Sequence, residues 1–182
     1  MIPYILYSWL IAVLIVCTIT DLRQRRIPNL LTYPTAFFAL TVHCYIGSWN
    51  GFFFSLGGLT FGFAVFLTPY LIGGMGAGDV KLMSAVGAVL GFQETAFCFL
   101  FIAVCGGIMA FGFMVYRRNI KNTLLKTFLG ILYLGMHRDA SLLKVEKNII
   151  IQEGIPYGAA IAGGVFLFFL YLISNNKTLP AF

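Results

Sequence analysis

Two aspartates stand beside long apolar segments of the chain, where a carboxylate is costly. Asp21 follows the apolar run 2–20, and Asp79 precedes the apolar run 80–90. A carboxylate at membrane depth is retained only with a partner or a purpose. Two carboxyls at one depth tend to share a proton, because both cannot ionise cheaply. One of them can then take a proton from water as the water attacks a peptide carbonyl, while the protonated partner polarises that carbonyl.

Small and basic residues surround Asp79 and are candidates to bind a substrate chain. The glycines before it are Gly73, Gly74, Gly76 and Gly78. Glycine allows positive φ and lets an extended backbone come close to the carboxyl, and we take Gly76 and Gly78 as substrate-binding positions. Lys81 is a third candidate, since it could orient a carboxyl or the substrate. A lysine that extends to the membrane interface is the alternative.

Each aspartate also has a purely structural explanation. Asp79 at a helix start is a competent N-cap. Asp21 lies close to Arg23, Arg25 and Arg26, so a surface ion pair would account for it. The functional interpretation depends on both carboxyls reaching the same face of the membrane.

The composition predicts an all-α integral membrane protein. Of the 182 residues, 60% are hydrophobic and only 10% are charged, and the mean hydropathy is +0.92. Soluble domains carry about 25% charged residues. A disordered chain and a coiled coil are excluded by the scarcity of charge, and a disulfide-stapled secreted fold by the four cysteines. At about 20 residues per crossing, the length leaves no room for a sizeable water-soluble domain, so we expect one membrane-embedded domain over 1–182.

Apolar runs predict a bundle of six transmembrane helices. They cover residues 2–20, 30–46, 51–72, 80–90, 95–116 and 155–173. The fourth run is too short to cross about 30 Å of hydrocarbon by itself. It must extend through Asp79 or Gly91, tilt, or lie at the centre of the bundle where neighbours cover its ends.

The basic residues predict the orientation of the bundle. If both termini lie outside the cytoplasm, the cytoplasmic segments are about 21–29, 73–81 and 117–154. Every Lys and Arg except Lys177 then falls in a cytoplasmic segment, as the positive-inside rule requires. Asp21 and Asp79 thereby come to the cytoplasmic ends of their helices, at one depth.

The longest polar segment, 117–154, contains an apolar block that predicts a helix lying in the cytoplasmic interface. A seventh span is the alternative for this block. The lysines and arginines of this segment indicate contact with membrane lipid. Lipid contact explains the basic cytoplasmic face of the protein better than nucleic-acid binding does. We also expect three acidic residues of this segment to attract a basic substrate. They are Asp139, Glu146 and Glu153.

Short motifs resemble those of type IV prepilin peptidases, the GxGD class of membrane aspartyl proteases. Thr20-Asp21 followed by Arg25-Arg26-Ile27-Pro28-Asn29 is similar to one signature segment. Gly76-Ala77-Gly78-Asp79-Val80-Lys81 is similar to the other, and Gly154-Ile155-Pro156-Tyr157-Gly158 to a C-terminal segment. The short members that serve Flp or tight-adherence pili are the most similar group.

The resemblance implies that Asp21 and Asp79 are the catalytic pair, with no metal and no cofactor. It implies that the partner is a prepilin or pseudopilin, whose short basic leader is removed at the cytoplasmic face of the inner membrane. Long family members carry a domain with Cys-x-x-Cys motifs and also N-methylate their product. We expect neither that N-terminal zinc domain nor methyltransferase activity here, and the oligomeric state is left open.

Two other interpretations stay open. A related GxGD protease would cut another substrate, either a preflagellin or a transmembrane helix. In a different class of protein, the carboxyls would form a proton or cation relay in a small transporter or a structural subunit of a secretion machine.

Overall fold

A computed structural model describes residues 2–71, 74–116 and 157–175 of the chain, and most of these residues lie in helices. The helices are α1 (Ile2–Gln24), α2 (Asn29–Leu71), α3 (Ala77–Leu90), α4 (Phe92–Tyr116) and α5 (Tyr157–Ser174). No strand occurs within these ranges, so the all-α expectation is confirmed for them. The predicted interfacial helix, the alternative seventh span and the predicted acidic group all lie outside the described residues.

In the part of the chain that the structure describes, four helices are long and apolar enough to cross a membrane. The qualifying segments are Ile5–Gln24, Asn29–Leu71, Phe92–Gly112 and Tyr157–Ser174. α3 does not qualify, because its 14 residues extend only about 21 Å. The six-span count and the orientation of the termini therefore stay predictions.

The long element α2 reverses direction at Ser48. This residue has φ 50 and ψ −132, which interrupts the helix, and a Cβ placed on Gly51 would overlap the carbonyl oxygen of His43. In a continuous helix residues 43 and 51 would lie about 12 Å apart. α2 is thus a hairpin of two arms, 29–47 and 49–71, which correspond to the separate predicted runs 30–46 and 51–72.

Small residues on α2 let the hairpin pack closely against α3. The buried positions of the second arm recur at helical spacing: Gly51, Ser55, Gly58, Gly62 and Phe66. A Cβ on Gly58 would overlap the carbonyl oxygen of Gly87, and a Cβ on Gly87 would overlap that of Gly58. Backbones in such close contact gain dispersion energy, which drives helix association where lipid replaces water.

α3 is the central helix of the described bundle. Every residue from Leu82 to Leu90 is buried, and most of these are fully inaccessible. This agrees with two of the options for the short fourth run: it lies at the centre, and it begins at Ala77 so that it includes Asp79. Continuation through Gly91 is wrong, because Gly91 has φ 78 and ends the helix.

α4 and α5 complete the bundle on one side. A Cβ on Gly164 of α5 would approach the backbone nitrogen of Ile102 in α4 to 2.6 Å, so the two helices meet closely. Tyr7 of α1 contacts Phe169 of α5 edge to face, with ring centroids 5.8 Å apart. Many large apolar side chains point outwards, including Tyr45 and Leu30, which suits a surface in contact with lipid.

Candidate active site

Asp21 lies in the last turn of α1 and is buried, with 6% of its surface exposed. The sequence predicted a helical run that ended at Thr20, but the helix continues to Gln24 and includes the aspartate. It ends because Arg25 takes a left-handed conformation, φ 52, and donates its N–H to the Asp21 carbonyl at 2.8 Å. Burial of the Asp21 carboxyl argues against an exposed ion pair as its main role.

Asp79 lies in the first turn of α3 and is also buried, with 7% of its surface exposed. The N-cap is Gly76, in an extended conformation with φ −81 and ψ 152. The Gly76 N–H donates to Asp79 Oδ2 at 3.0 Å, and the Asp79 N–H donates to the Gly76 carbonyl at 3.2 Å. Asp79 therefore caps α3 from inside the helix, at the third helical position and not at the N-cap.

The glycines before Asp79 do not have the predicted backbone conformation, and substrate binding at Gly76 and Gly78 stays a prediction. Among the described residues, Gly91 is the glycine with positive φ, so the expectation of positive φ is wrong for Gly74, Gly76 and Gly78. Gly78 is needed for space: a Cβ there would lie 2.9 Å from the Cβ of Ile27. Gly73 lies outside the described residues.

Ile27 belongs to the connection between α1 and α2, so its contact with Gly78 joins two parts of the site. The connection begins one turn after Asp21, and Gly78 directly precedes Asp79. The contact therefore places the segments that carry the two carboxyls against one another.

The start of α5 supplies backbone atoms that the sequence did not assign to the site. The Gly158 N–H donates to Asp21 Oδ2 at 2.9 Å in a buried hydrogen bond across 137 positions of sequence. The neighbouring Tyr157, partly buried, interacts electrostatically with Asp79. Gly158 was visible only as part of a family-like segment, because a backbone donor leaves no signature in hydrophobic periodicity.

The environment of Asp79 includes the charge of Asp21. Burial raises the pKa of Asp79 to about 7, the hydrogen bond from Gly76 opposes that rise, and the nearby charge of Asp21 adds to it. Asp79 lies outside the four segments that qualify as membrane spans. The structure thus brings Asp21 and Asp79 to one end of the bundle, with one carboxyl tending to hold a proton near neutral pH.

Lys81 extends away from α3 to the start of α2. Its Nζ donates to Asn29 Oδ1 at 3.0 Å and lies 5.1 Å from the centroid of the Tyr33 ring. These contacts tie α2 to α3 two residues after Asp79. A role for Lys81 in substrate binding stays a prediction.

Metal-dependent chemistry has no obvious ligand set in the described ranges, which contain no group of three or more His, Cys, Asp or Glu side chains suited to a metal ion. Two buried carboxyls with backbone donors can instead exchange protons with a bound water and a substrate carbonyl.

Comparison with known proteins identifies the family. The family model described as the type IV leader peptidase family matches residues 8–111, which include both aspartates. A prepilin leader peptidase/N-methyltransferase of Aeromonas hydrophila is 32% identical over 126 residues, which cover 63% of this chain and 41% of the relative. The chain thus spans less than half the length of that relative, and no solved structure matches it significantly. Because the family match extends over more than half of the sequence, the chain belongs to the type IV leader peptidase family.

Proposed function

We propose that the protein is a membrane aspartyl endopeptidase that removes the short basic leader of prepilin-like or pseudopilin substrates. The observation that carries the proposal is the burial of Asp21 and Asp79 at one end of the bundle, where the segments that carry them meet through Ile27 and Gly78. Membership of the leader peptidase family supports the reaction class. The name of the Aeromonas relative, a prepilin leader peptidase, supports a prepilin substrate.

In the proposed mechanism, the two carboxyls share one proton before the substrate binds. The ionised carboxylate takes a proton from water as the water oxygen bonds to the peptide carbonyl carbon. The protonated carboxyl donates a hydrogen bond to the carbonyl oxygen and stabilises the tetrahedral intermediate. The proton taken from water then passes to the amide nitrogen as the C–N bond breaks, which regenerates the pair.

The proposed substrate matches the position of the site. A prepilin-like chain presents a basic leader, typically ending in glycine, directly before a hydrophobic segment. Its scissile bond would lie at the membrane boundary, where Asp21 closes α1 and Asp79 opens α3. The exposed Arg23 and Arg26 near Asp21 would repel such a leader, and the acidic residues of segment 117–154 are proposed to offset them.

The proposal includes six spans in the inner membrane with both termini outside the cytoplasm. The hairpin reversal at Ser48 supports two spans within α2, since its arms of 19 and 23 residues measure about 28 and 34 Å. Cysteine accessibility at both termini and at positions 48 and 76 would test this arrangement. Labelling of positions 48 and 76 from the same side would contradict it.

The direct test is cleavage of a purified prepilin by the detergent-solubilised protein. Asp21→Asn and Asp79→Asn should each abolish cleavage, because an amide can neither take nor supply the catalytic proton. Glu94→Gln is the matched control and should leave cleavage unchanged, since Glu94 lies in the first turn of α4, beyond the far end of α3. Substantial residual activity in either aspartate variant would remove that carboxyl from the mechanism.

The same preparation separates the alternatives. A preflagellin or a transmembrane-helix substrate cut in preference to a prepilin would indicate a related GxGD protease. Ion uptake into liposomes without any peptide cleavage would instead indicate a transporter. Mass spectrometry of the product would show whether its new amino terminus is free or methylated.

A further inference from the structure

We propose that Gly158 is a positioning residue for Asp21, and that the first turn of α5 fixes where this carboxyl stands in the site. The inference rests on the proposed peptidase function and extends it to a backbone group outside the two aspartate motifs. Gly158 contributes through its N–H and through the absence of a side chain.

The N–H of Gly158 is available to Asp21 because it stands in the first turn of a helix. The first N–H groups of a helix have no partner within that helix. Gly158 donates this group to Asp21 Oδ2 at 2.9 Å, and both residues are buried. A charge-assisted hydrogen bond to a fixed backbone donor restrains the carboxyl more firmly than a mobile side chain would.

The missing side chain of Gly158 makes room for the carboxyl. A Cβ at this position would lie 2.8 Å from Asp21 Oδ2 and 3.1 Å from the Asp21 Cβ. The Asp21 Cβ is held by the backbone of α1, so it cannot yield as the end of a flexible side chain would. Any larger residue at 158 must therefore displace either the aspartate or the start of α5.

The same turn of α5 also lies near the second carboxyl. Tyr157 lies within electrostatic range of Asp79, while the Gly158 N–H donates to Asp21. Consecutive residues of one rigid helix thus contact one member of the pair and lie near the other. The position of α5 consequently helps to determine the separation of Asp21 and Asp79.

Gly158→Ala tests the inference through the steady-state kinetics of prepilin cleavage. We expect kcat to fall about 100-fold with little change in KM, because a displacement of roughly 1 Å at a catalytic group costs about that much. Gly163→Ala is the matched control on the same helix, where a Cβ would make an ordinary 3.9 Å contact with the sulfur of Cys105. Unchanged kcat in Gly158→Ala, or an equal loss in Gly163→Ala, would overturn the inference.

A second measurement does not depend on activity. In the inactive Asp79→Asn background with ¹³C-labelled aspartate, the infrared carboxyl band that disappears in Asp21→Asn belongs to Asp21. We expect Gly158→Ala to shift this band and Gly163→Ala to leave it in place, because only a Cβ at position 158 displaces the Asp21 carboxyl and so alters the hydrogen bond that it accepts. An unshifted band would overturn the positioning role even if the protein cleaves prepilin. If the band shifts as expected but the protein with both aspartates cleaves no peptide, the proposed function is wrong, while the positioning of Asp21 by Gly158 is still supported.

Discussion

The contact between Gly78 and Ile27 allows two explanations of the glycine before Asp79 to be separated. Glycine at 78 could admit the substrate backbone, as the sequence suggested, or it could admit Ile27 from the connection between α1 and α2. Gly78→Ala would bring two Cβ atoms to 2.9 Å. Carbon atoms in contact prefer about 3.5–4.0 Å, so the two segments must separate by roughly 1 Å.

The size of the effect follows from that displacement. Overpacking of this kind costs about 1–3 kcal/mol of stability. A displacement of roughly 1 Å at the neighbouring Asp79 should reduce kcat about 100-fold. If packing is the cause, the double variant Gly78→Ala with Ile27→Gly removes the colliding atom and should recover most of the lost rate. The added glycine in the connection should cost up to about 1 kcal/mol of stability.

The assay is single-turnover cleavage of a prepilin, with thermal unfolding in detergent measured on the same samples. Gly107→Ala provides the control, since a Cβ at that position meets nothing within 4 Å. The Ile27→Gly single variant is measured as well, so that the effect of this substitution by itself can be subtracted in a double-mutant cycle. If the double variant is as slow as Gly78→Ala alone, the packing explanation is wrong and the substrate backbone is the better candidate for the space at position 78.

Four further expectations follow from the site and the core. The cleavage rate should fall as pH rises through about 7, because the pKa of Asp79 lies there and its deprotonation leaves the pair without a proton to donate; a rate unchanged from pH 6 to 9 would contradict this. Folding stability should also fall as pH rises from the ordinary value of 3.8 to about 7, since the folded state keeps the proton longer, and Asp79→Asn should flatten this slope in thermal unfolding. Lys81→Met should lower kcat without raising KM if its bond to Asn29 ties α2 to α3, whereas a raised KM would favour direct contact between Lys81 and the substrate. Gly87→Ala should lower the free energy of unfolding by more than about 1 kcal/mol, because its Cβ would overlap the backbone of α2, and Gly107→Ala should not.

Composition and charge predicted the helical class and the approximate extent of each helix, because a chain this apolar must satisfy its backbone hydrogen bonds locally. They also drew attention to Asp21 and Asp79, since an acidic residue beside an apolar run is conspicuous. The central position of α3 was one of several options. It became clear only from the overlap of Gly58 with Gly87, which depends on how two distant segments pack.

Other features could not be predicted because they depend on backbone geometry. The glycines before Asp79 suggested positive φ, yet Gly76 is extended and Gly78 makes room for Ile27. The sequence cannot distinguish a glycine chosen for its torsion angles from one chosen for its size. Gly158 presents the same difficulty, because its contribution is an N–H that every residue except proline possesses.

At this site, two energetic costs of folding in a membrane offset each other: unpaired N–H groups at helix starts and buried carboxylates. A helix that begins near the apolar region leaves its first N–H groups without partners, and an apolar surrounding cannot satisfy them. A buried carboxylate is costly for the complementary reason, since it lacks donors. Asp79 accepts the Gly76 N–H at the start of α3, and Asp21 accepts the Gly158 N–H at the start of α5. Each helix start therefore offsets part of the cost of burying one carboxyl, which helps the fold to hold two acids at one end of the bundle.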